Sequence, residues 1–385
     1  MNSTLSSICP SVTLAITAAA KQLAAEGKHV CNFAAGEPDY DTPQSVKDAA
    51  IRALTDGKTK YTPARGVPEL CAEISKKFKA DNALEYASSQ IIVSGGGKMS
   101  LSTAFAALLN PGDEVLIPAP YWLSYPEMVR LSGGVPVFVK GDDESGFKIT
   151  PAQLEAAITP RTTVFVLNSP SNPTGLVYSR DEIAALGEVC LRHNLWIVSD
   201  EIYERMVYAG ETHASIAAIS KELYARTITV NGLSKAYAMT GWRIGYAAGP
   251  AEVIRAMETV QSHLASAPAT FAQYGALAAL RGAEAEILPM LKAFEQRNEL
   301  ICGLVSRIEG VVCKRPKGAF YIFPNIASFG LSSKEFAERL IQEKHVAAVP
   351  GVSFGADENL RFSYACGTEE IKEGMRRFKE FCESL

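Results

Sequence analysis

The chain has 385 residues and a formal net charge of -4, from 38 lysines and arginines against 42 aspartates and glutamates. Hydrophobic residues make up 47% and charged residues 21%, which excludes disordered and collagen-like classes and leaves room for a core that needs no covalent staples. The mild acidity, with no basic stripe, argues against a nucleic-acid partner; no apolar run reaches the ~18 residues of a membrane span; and the length favours two or three structural units.

In chain order, residues 1–12 are expected to form an extended arm, and the first ten lack the basic start and apolar run of a secretion signal. Thr13 to Gly27 predicts a helix closed by Gly27. Thr42-Pro43 predicts a second helix, with Thr42 as cap and Pro43 in its first turn, ending near Gly57. Pro68 to Ala80 is a third. Short apolar strands are then expected at Gln90–Ser94, Glu114–Pro118, Val135–Lys140, Thr163–Leu167, Leu195–Ser199, Thr227–Val230 and Arg243–Ala248. Several are apolar at every position, as strands covered on both faces must be. Helices lie between some of them, one running from Gly97 to Leu109 and another from Ser179 to Asn194. This alternation predicts an α/β domain with a mostly parallel sheet between helices. Residues 250–309 predict long helices. The tail mixes strands (Ala319–Phe323, Val346–Val349, Leu360–Tyr364) with helices (Ser333–Lys344, Thr368–Leu385), the pattern of a smaller α+β unit.

The eight cysteines, Cys9, Cys31, Cys71, Cys190, Cys302, Cys313, Cys366 and Cys382, form no C-x-x-C pair and are widely spaced. Zinc ribbons and thioredoxin-like motifs are therefore absent, no metal is expected, and reduced thiols in a cytoplasmic protein are the expectation.

Four features fall at the carboxyl ends of expected strands, where open α/β sheets bind their ligands. Gly95-Gly96-Gly97-Lys98 opens a helix, and backbone N–H groups there suit an anion. Met99 follows Lys98, so the phosphate-loop pattern with Ser or Thr is not met. The run from Asn168 to Gly175 (NSPSNPTG) is a turn stiffened by proline that can aim the Asn172 amide. Asp200, in the sequence DEIY with Tyr203, offers a strand-end carboxylate that can pair with a protonated ring nitrogen. Ser234-Lys235 follows another strand, with Arg243 eight residues on. A lysine in a dry site is a nucleophilic amine, and an arginine suits a phosphate through its planar fork. Each feature alone also reads as an ordinary turn, cap or surface side chain.

Together, in this order and spacing, they resemble class I aminotransferases of fold type I, which depend on pyridoxal 5'-phosphate (PLP). Within them the chain is similar to the bacterial branch of aspartate and aspartate/prephenate aminotransferases. The resemblance extends from Pro10-Ser11 to the last helix and is carried by AGEPDYDTP (35–43), GKTKYTPARG (57–66), VSGGGK, PYWLSYPEM (120–128), NSPSNPTG, VSDEIYE, SKAYAMTGWRIGY, GAFY (318–321) and LRFSYA (360–365).

The resemblance implies an arm at 1–12, a large PLP-binding domain at 45–285, and a small domain formed by 13–44 and 286–385. It implies that Lys235 carries PLP as an imine and moves the substrate proton. Asp200 meets the pyridine nitrogen, and Tyr203 and Asn172 meet the phenolic oxygen. Gly96, Gly97 and Lys98 begin the phosphate-binding helix, Arg243 is its cationic partner, and Ser234 adds a hydroxyl. Trp122 stacks on the ring. Arg361 clamps the substrate α-carboxylate bidentately, with the Gly36 backbone beside it. Tyr61 reaches the phosphate of a second subunit, which implies a homodimer.

Ser11, Thr13 and Lys98 match the positions that meet the distal carboxylate of aspartate in this branch. Acidic amino acids and their 2-oxo acids are therefore the expected small-molecule partners. Prephenate-using relatives carry a lysine where this chain has Cys9, so plain aspartate transamination is favoured over prephenate use. Two rivals are another PLP enzyme on the same scaffold, such as a C–S lyase or an aminotransferase for alanine or aromatic amino acids, against which Ser11, Thr13 and Lys98 argue, and a transcription regulator. The regulator would need an N-terminal DNA-binding segment, and the aminotransferase pattern already begins by Pro10.

Overall fold

A computed structural model of the chain describes residues 8, 12–141, 146–208 and 210–385, and for residues 12–15 the backbone alone. Cys9, Ser11 and nearly all of the expected arm lie outside the described residues, as does the side chain of Thr13.

The strands follow in chain order. After β1 (Cys31–Asn32) come β2 (Ile91–Ser94), β3 (Glu114–Ala119), β4 (Val135–Lys140) and β5 (Thr162–Asn168). Then come β6 (Trp196–Asp200), β7 (Thr227–Gly232) and β8 (Gly245–Ala248). The last four are β9 (Tyr321–Ile322), β10 (Val346–Ala347), β11 (Val349–Pro350) and β12 (Leu360–Ser363).

β2 to β8 form one sheet in the order β2-β8-β7-β6-β5-β3-β4. Every neighbouring pair is parallel except those of β8, which runs antiparallel to both β2 and β7. Side chains alternate between the two faces. Val164, Val166, Val198, Ile228 and Val230 face Leu101, Phe105, Ile254 and Met257 of the helices Gly97–Leu108 and Ala251–Leu264. Phe165, Leu167 and Ile197 face Ile183 and Leu186 of the helix Arg180–Arg192. That helix starts as its sequence predicts, because the Ser179 hydroxyl accepts from the Glu182 N–H while the Glu182 carboxylate accepts from the Ser179 N–H.

Outside this sheet, β1 pairs in parallel with β10, and β11-β12-β9 form an antiparallel sheet. The 22-residue helix Glu284–Val305 and the helix Thr368–Cys382 pack here. The latter buries Ile371, Met375, Phe378 and Phe381 on one face.

Four local expectations change. Pro43 is the cap residue of the helix Gln44–Thr55 rather than part of its first turn. Thr42 does not cap it: its hydroxyl donates to the Ala238 carbonyl at 2.7 Å and accepts from the Trp242 indole N–H at 2.9 Å. The strand expected from Arg243 begins at Gly245, because Arg243 adopts a left-handed conformation (φ 56°) that ends the short turn Thr240–Trp242. The apolar run Val346–Val349 is split between two sheets, β10 and β11, and nothing in its composition signals a change of partner. The helices Ser124–Leu131 and Pro151–Ala156 were not anticipated. The second carries a legible start signal, with Thr150 and Gln153 capping each other's backbone N–H groups.

Candidate active site

The register of the large sheet assembles the site. Asn168 pairs with Asp200, and Asp200 with Val230, so the carboxyl ends of β5, β6 and β7 stand side by side. β2 ends at the same side and leads through Gly95 and Gly96 into the helix Gly97–Leu108. A cavity of about 440 Å³ opens there, and Gly36, Gly97, Lys98, Trp122, Asn172, Asp200, Tyr203, Ser234, Lys235, Arg243 and Arg361 all line it. Among the described residues that line it, four are cations and one, Asp200, is an acid. A cavity with that balance suits a ligand bearing several negative charges.

Asp200 lies at the floor, 5% exposed. It accepts from the Tyr125 hydroxyl at 2.7 Å and from the Ile202 N–H at 3.2 Å. Desolvation dominates over these bonds and pushes its pKa up to about 6. Asn168 braces the turn: its amide donates to the Asp200 carbonyl at 2.9 Å, and its side-chain oxygen accepts from the Asn172 N–H at 3.0 Å.

Lys235 follows β7 by three residues, and its ammonium donates to the Gly36 carbonyl. Desolvation, then the nearby Arg361 guanidinium, lower its pKa to about 8, while Glu37 and Asp200 oppose the shift. The neutral amine is therefore well populated near pH 8, far below the ordinary lysine range. In cofactor-free protein, the rate at which Lys235 captures an added aldehyde should rise with pH through a midpoint near 8. Stopped-flow absorbance at several pH values measures this, and a midpoint near 10 would mean that the cavity does not depress the amine.

At the other end, the Gly97–Leu108 helix presents its first N–H groups. Arg243 lies against that turn, donating to the Thr240 carbonyl at 2.8 Å and to the Gly95 carbonyl at 3.4 Å. Its αL conformation brings the side chain back over Gly96. A Cβ at Gly96 would lie 2.4 Å from Arg243 Nη2, and Gly96 itself has φ +91°, a region L side chains rarely adopt. Gly96→Ala should therefore displace the guanidinium and strain the turn, weakening binding of a phosphate-bearing ligand by roughly tenfold or more. Titrating cofactor-free protein with PLP, followed by tryptophan fluorescence, gives the affinity; an unchanged value would remove this turn from the anion site.

Arg361 comes from β12, where alternation sends it and Ser363 to one face and Leu360 and Phe362 to the other. It is 2% exposed, and one Nη donates to Asn172 Oδ1 at 3.1 Å and the other to the Ala34 carbonyl at 2.8 Å. Among the described residues its Nε has no partner. A buried guanidinium left short of acceptors is costly unless a ligand completes it. Lys98 also lines the cavity, its ammonium 5.1 Å from the Trp122 ring centroid. Desolvation and the Arg243 charge lower its pKa.

Tyr61 stands apart. It is 98% exposed, in a separate depression lined by residues 59–62 and 267–271. Sequence reasoning missed Tyr125, Asn168 and Tyr321. Tyr125 was within reach, since it falls three residues after Trp122 on one turn of chain and packs edge-on against it at 5.3 Å.

Residues 28–378 match the family described as aminotransferase class I and II. The chain belongs to this family. It is therefore a PLP-dependent aminotransferase, and the cavity's buried carboxylate, amine and surplus of cations fit that cofactor. It is 50% identical to an aspartate aminotransferase of Geobacillus stearothermophilus over 385 residues, covering 99% of this chain and 98% of that protein. It is 49% identical to an aspartate/prephenate aminotransferase of Cereibacter sphaeroides over 396 residues, covering 100% and 99%. Among solved structures, the aspartate aminotransferase of Rhizobium meliloti matches with a TM-score of 0.96 at 43% identity, over 100% of this chain and 98% of that one. That of Thermus thermophilus with maleate matches at 0.95 and 43%, over 99% of each. The α/β architecture is that of the PLP-transferase fold.

Proposed function

We propose that this aminotransferase exchanges amino groups between L-aspartate and 2-oxoglutarate, giving oxaloacetate and L-glutamate. The observation that carries the reading is the lining of one cavity by Lys98, Lys235, Arg243 and Arg361 against the one carboxylate, Asp200, among its described lining residues. A cofactor phosphate and a dicarboxylic substrate together supply the missing negative charge. The relatives named above act on aspartate by name, and the Thermus thermophilus structure holds maleate, itself a dicarboxylate.

In this reading Gly96, Gly97 and the helix start, with Arg243 and the Ser234 hydroxyl, would hold the cofactor phosphate. Asp200 would pair with the pyridine nitrogen and favour its protonated form, Tyr203 and Asn172 would donate to the phenolic oxygen, and Trp122 would hold the ring face. Bound PLP supplies the electron sink for the charge left when the substrate Cα–H bond breaks. Lys235 anchors the cofactor and moves the proton at Cα, as its lowered pKa permits. Arg361, with Asn172 and the Gly36 backbone, holds the α-carboxylate. Lys98, Ser11 and Thr13 meet the distal carboxylate. Tyr61, exposed in one chain, completes the phosphate site of a second, which makes the active unit a homodimer. The division into residues 45–285 and a small domain of 13–44 with 286–385 is supported by the pairing of β1 with β10. A cytoplasmic setting agrees with the buried, widely spaced thiols of Cys31, Cys71, Cys190 and Cys382, which form no disulfide with one another.

Mixing PLP-loaded protein with single amino acids and following the cofactor's visible band tests the assignment. Fast conversion by aspartate and glutamate, reversed by oxaloacetate, is expected. Conversion by aromatic or neutral amino acids alone would overturn the substrate, though not the family. The aspartate/prephenate alternative is kept open by the Cereibacter sphaeroides relative. Cys9→Lys separates the two, since it should improve prephenate more than oxaloacetate.

A further inference from the structure

Tyr321 lines the cavity and carries none of the roles assigned above. It lies on β9 opposite Ser363, so it shares a sheet face with Arg361, its diagonal neighbour. The Arg361 guanidinium stands 4.6 Å over the Tyr321 ring centroid. The Tyr321 hydroxyl is 2.8 Å from that of Tyr203, with both residues buried. The ring of Tyr203 packs edge-on against it at 5.9 Å. A Cβ on Gly36 would meet the Tyr321 hydroxyl at 3.0 Å, so this oxygen also fills the space behind the Gly36 backbone. One side chain therefore touches the arginine that holds the α-carboxylate, the glycine whose carbonyl receives Lys235, and the tyrosine assigned to the cofactor's phenolic oxygen.

We propose that Tyr321 is a positioning residue for transamination, its ring supporting Arg361 and its hydroxyl orienting that of Tyr203. The inference rests on the preceding reading of Tyr203. A hydroxyl has a single proton to give. When Tyr203 donates it to the phenolic oxygen, its own oxygen is left to accept, and among the described residues the hydroxyl bonded to it is that of Tyr321. The two donations then run in one direction and strengthen each other. Donation from Tyr203 favours the ionised phenolic oxygen and so keeps the cofactor's titration midpoint low. Arg361 from β12, Asp200 at the end of β6, Tyr125 from the Ser124–Leu131 helix and Lys235 after β7 also face this pair, and Tyr321→Phe leaves each of these side chains unchanged in identity.

The test uses Tyr321→Phe, Tyr203→Phe and the double variant as PLP-loaded proteins, with the visible absorbance of bound PLP titrated against pH. Tyr321→Phe should raise the midpoint by roughly half to one pH unit. Tyr203→Phe should raise it further, and adding Tyr321→Phe to that background should change nothing. KM for the amino-acid donor should stay at the wild-type value in Tyr321→Phe, which keeps the ring, and rise in Tyr321→Leu, which loses it. A wild-type midpoint in Tyr321→Phe, or an equal shift in both backgrounds, overturns the proposal while leaving the role of Tyr203 intact. A wild-type midpoint in Tyr203→Phe overturns the reading of Tyr203 and the proposal with it.

Discussion

Lys235→Ala is expected to remove transamination and to stabilise the cofactor-free protein at the same time. The activity loss should reach at least three orders of magnitude, since proton transfer alone contributes about 10² to 10⁴-fold and the anchoring amine is lost as well. The stability gain follows from linkage. The folded-state pKa of Lys235 is depressed to about 8 from an ordinary value near 10.5. Folding therefore disfavours the charged amine, and the protein carries that cost fully below pH 8. The cost fades as pH rises from 8 towards 10.5, where the amine is neutral in both states. Alanine removes the cost, so Tm should rise at pH 7 and the difference from the parent should shrink by pH 10. Assays with excess PLP and calorimetry at the two pH values check both arms. Retained turnover would remove Lys235 from the chemistry, and a lower Tm at pH 7 would mean that its packing outweighs its buried charge.

Arg361→Ala should lower kcat/KM by two to three orders of magnitude for every amino-acid donor, chiefly through KM. The guanidinium is 2% exposed and held from behind by Asn172 Oδ1 and the Ala34 carbonyl, so its remaining N–H groups are fixed before substrate arrives. Charge-assisted bonds in such a desolvated place are worth roughly 2 to 5 kcal/mol when one partner is removed. Arg361→Lys should recover little, because an ammonium cannot keep both rear contacts and also offer a planar fork. Initial rates with aspartate, glutamate and a neutral amino acid decide the matter. A loss confined to the acidic donors would place Arg361 at the distal carboxylate instead.

Much of the site was legible before any tertiary contact was known, because strand ends announce themselves locally. A short apolar run followed by Gly95-Gly96-Gly97, by the Asn168–Gly175 turn, by Asp200 or by Ser234-Lys235 marks a place where a buried strand meets a polar loop, and the register does align those ends. Arg361 was visible only through resemblance. A lone arginine inside LRFSYA reads as an exposed strand residue, and its burial depends on acceptors from Asn172 and Ala34, 189 and 327 residues away. Tyr321 carried no local signal beyond an aromatic in an apolar run. Its importance lies in two partners on other strands and turns, Tyr203 and Arg361.

The order of elements, the α/β class and the polar residues that close the strands were set by the sequence alone, because hydrophobic period, turn residues and helix caps act within a few positions. Tertiary structure decided which strands run antiparallel, that the apolar run Val346–Val349 serves two sheets, and that Arg243 turns back over Gly96 rather than opening β8. It also decided the pKa of Lys235 and Asp200, since desolvation is the largest cause of both shifts. Burial is a property of the assembled chain: a lysine or an aspartate acquires it only when segments distant in sequence close around it and exclude water.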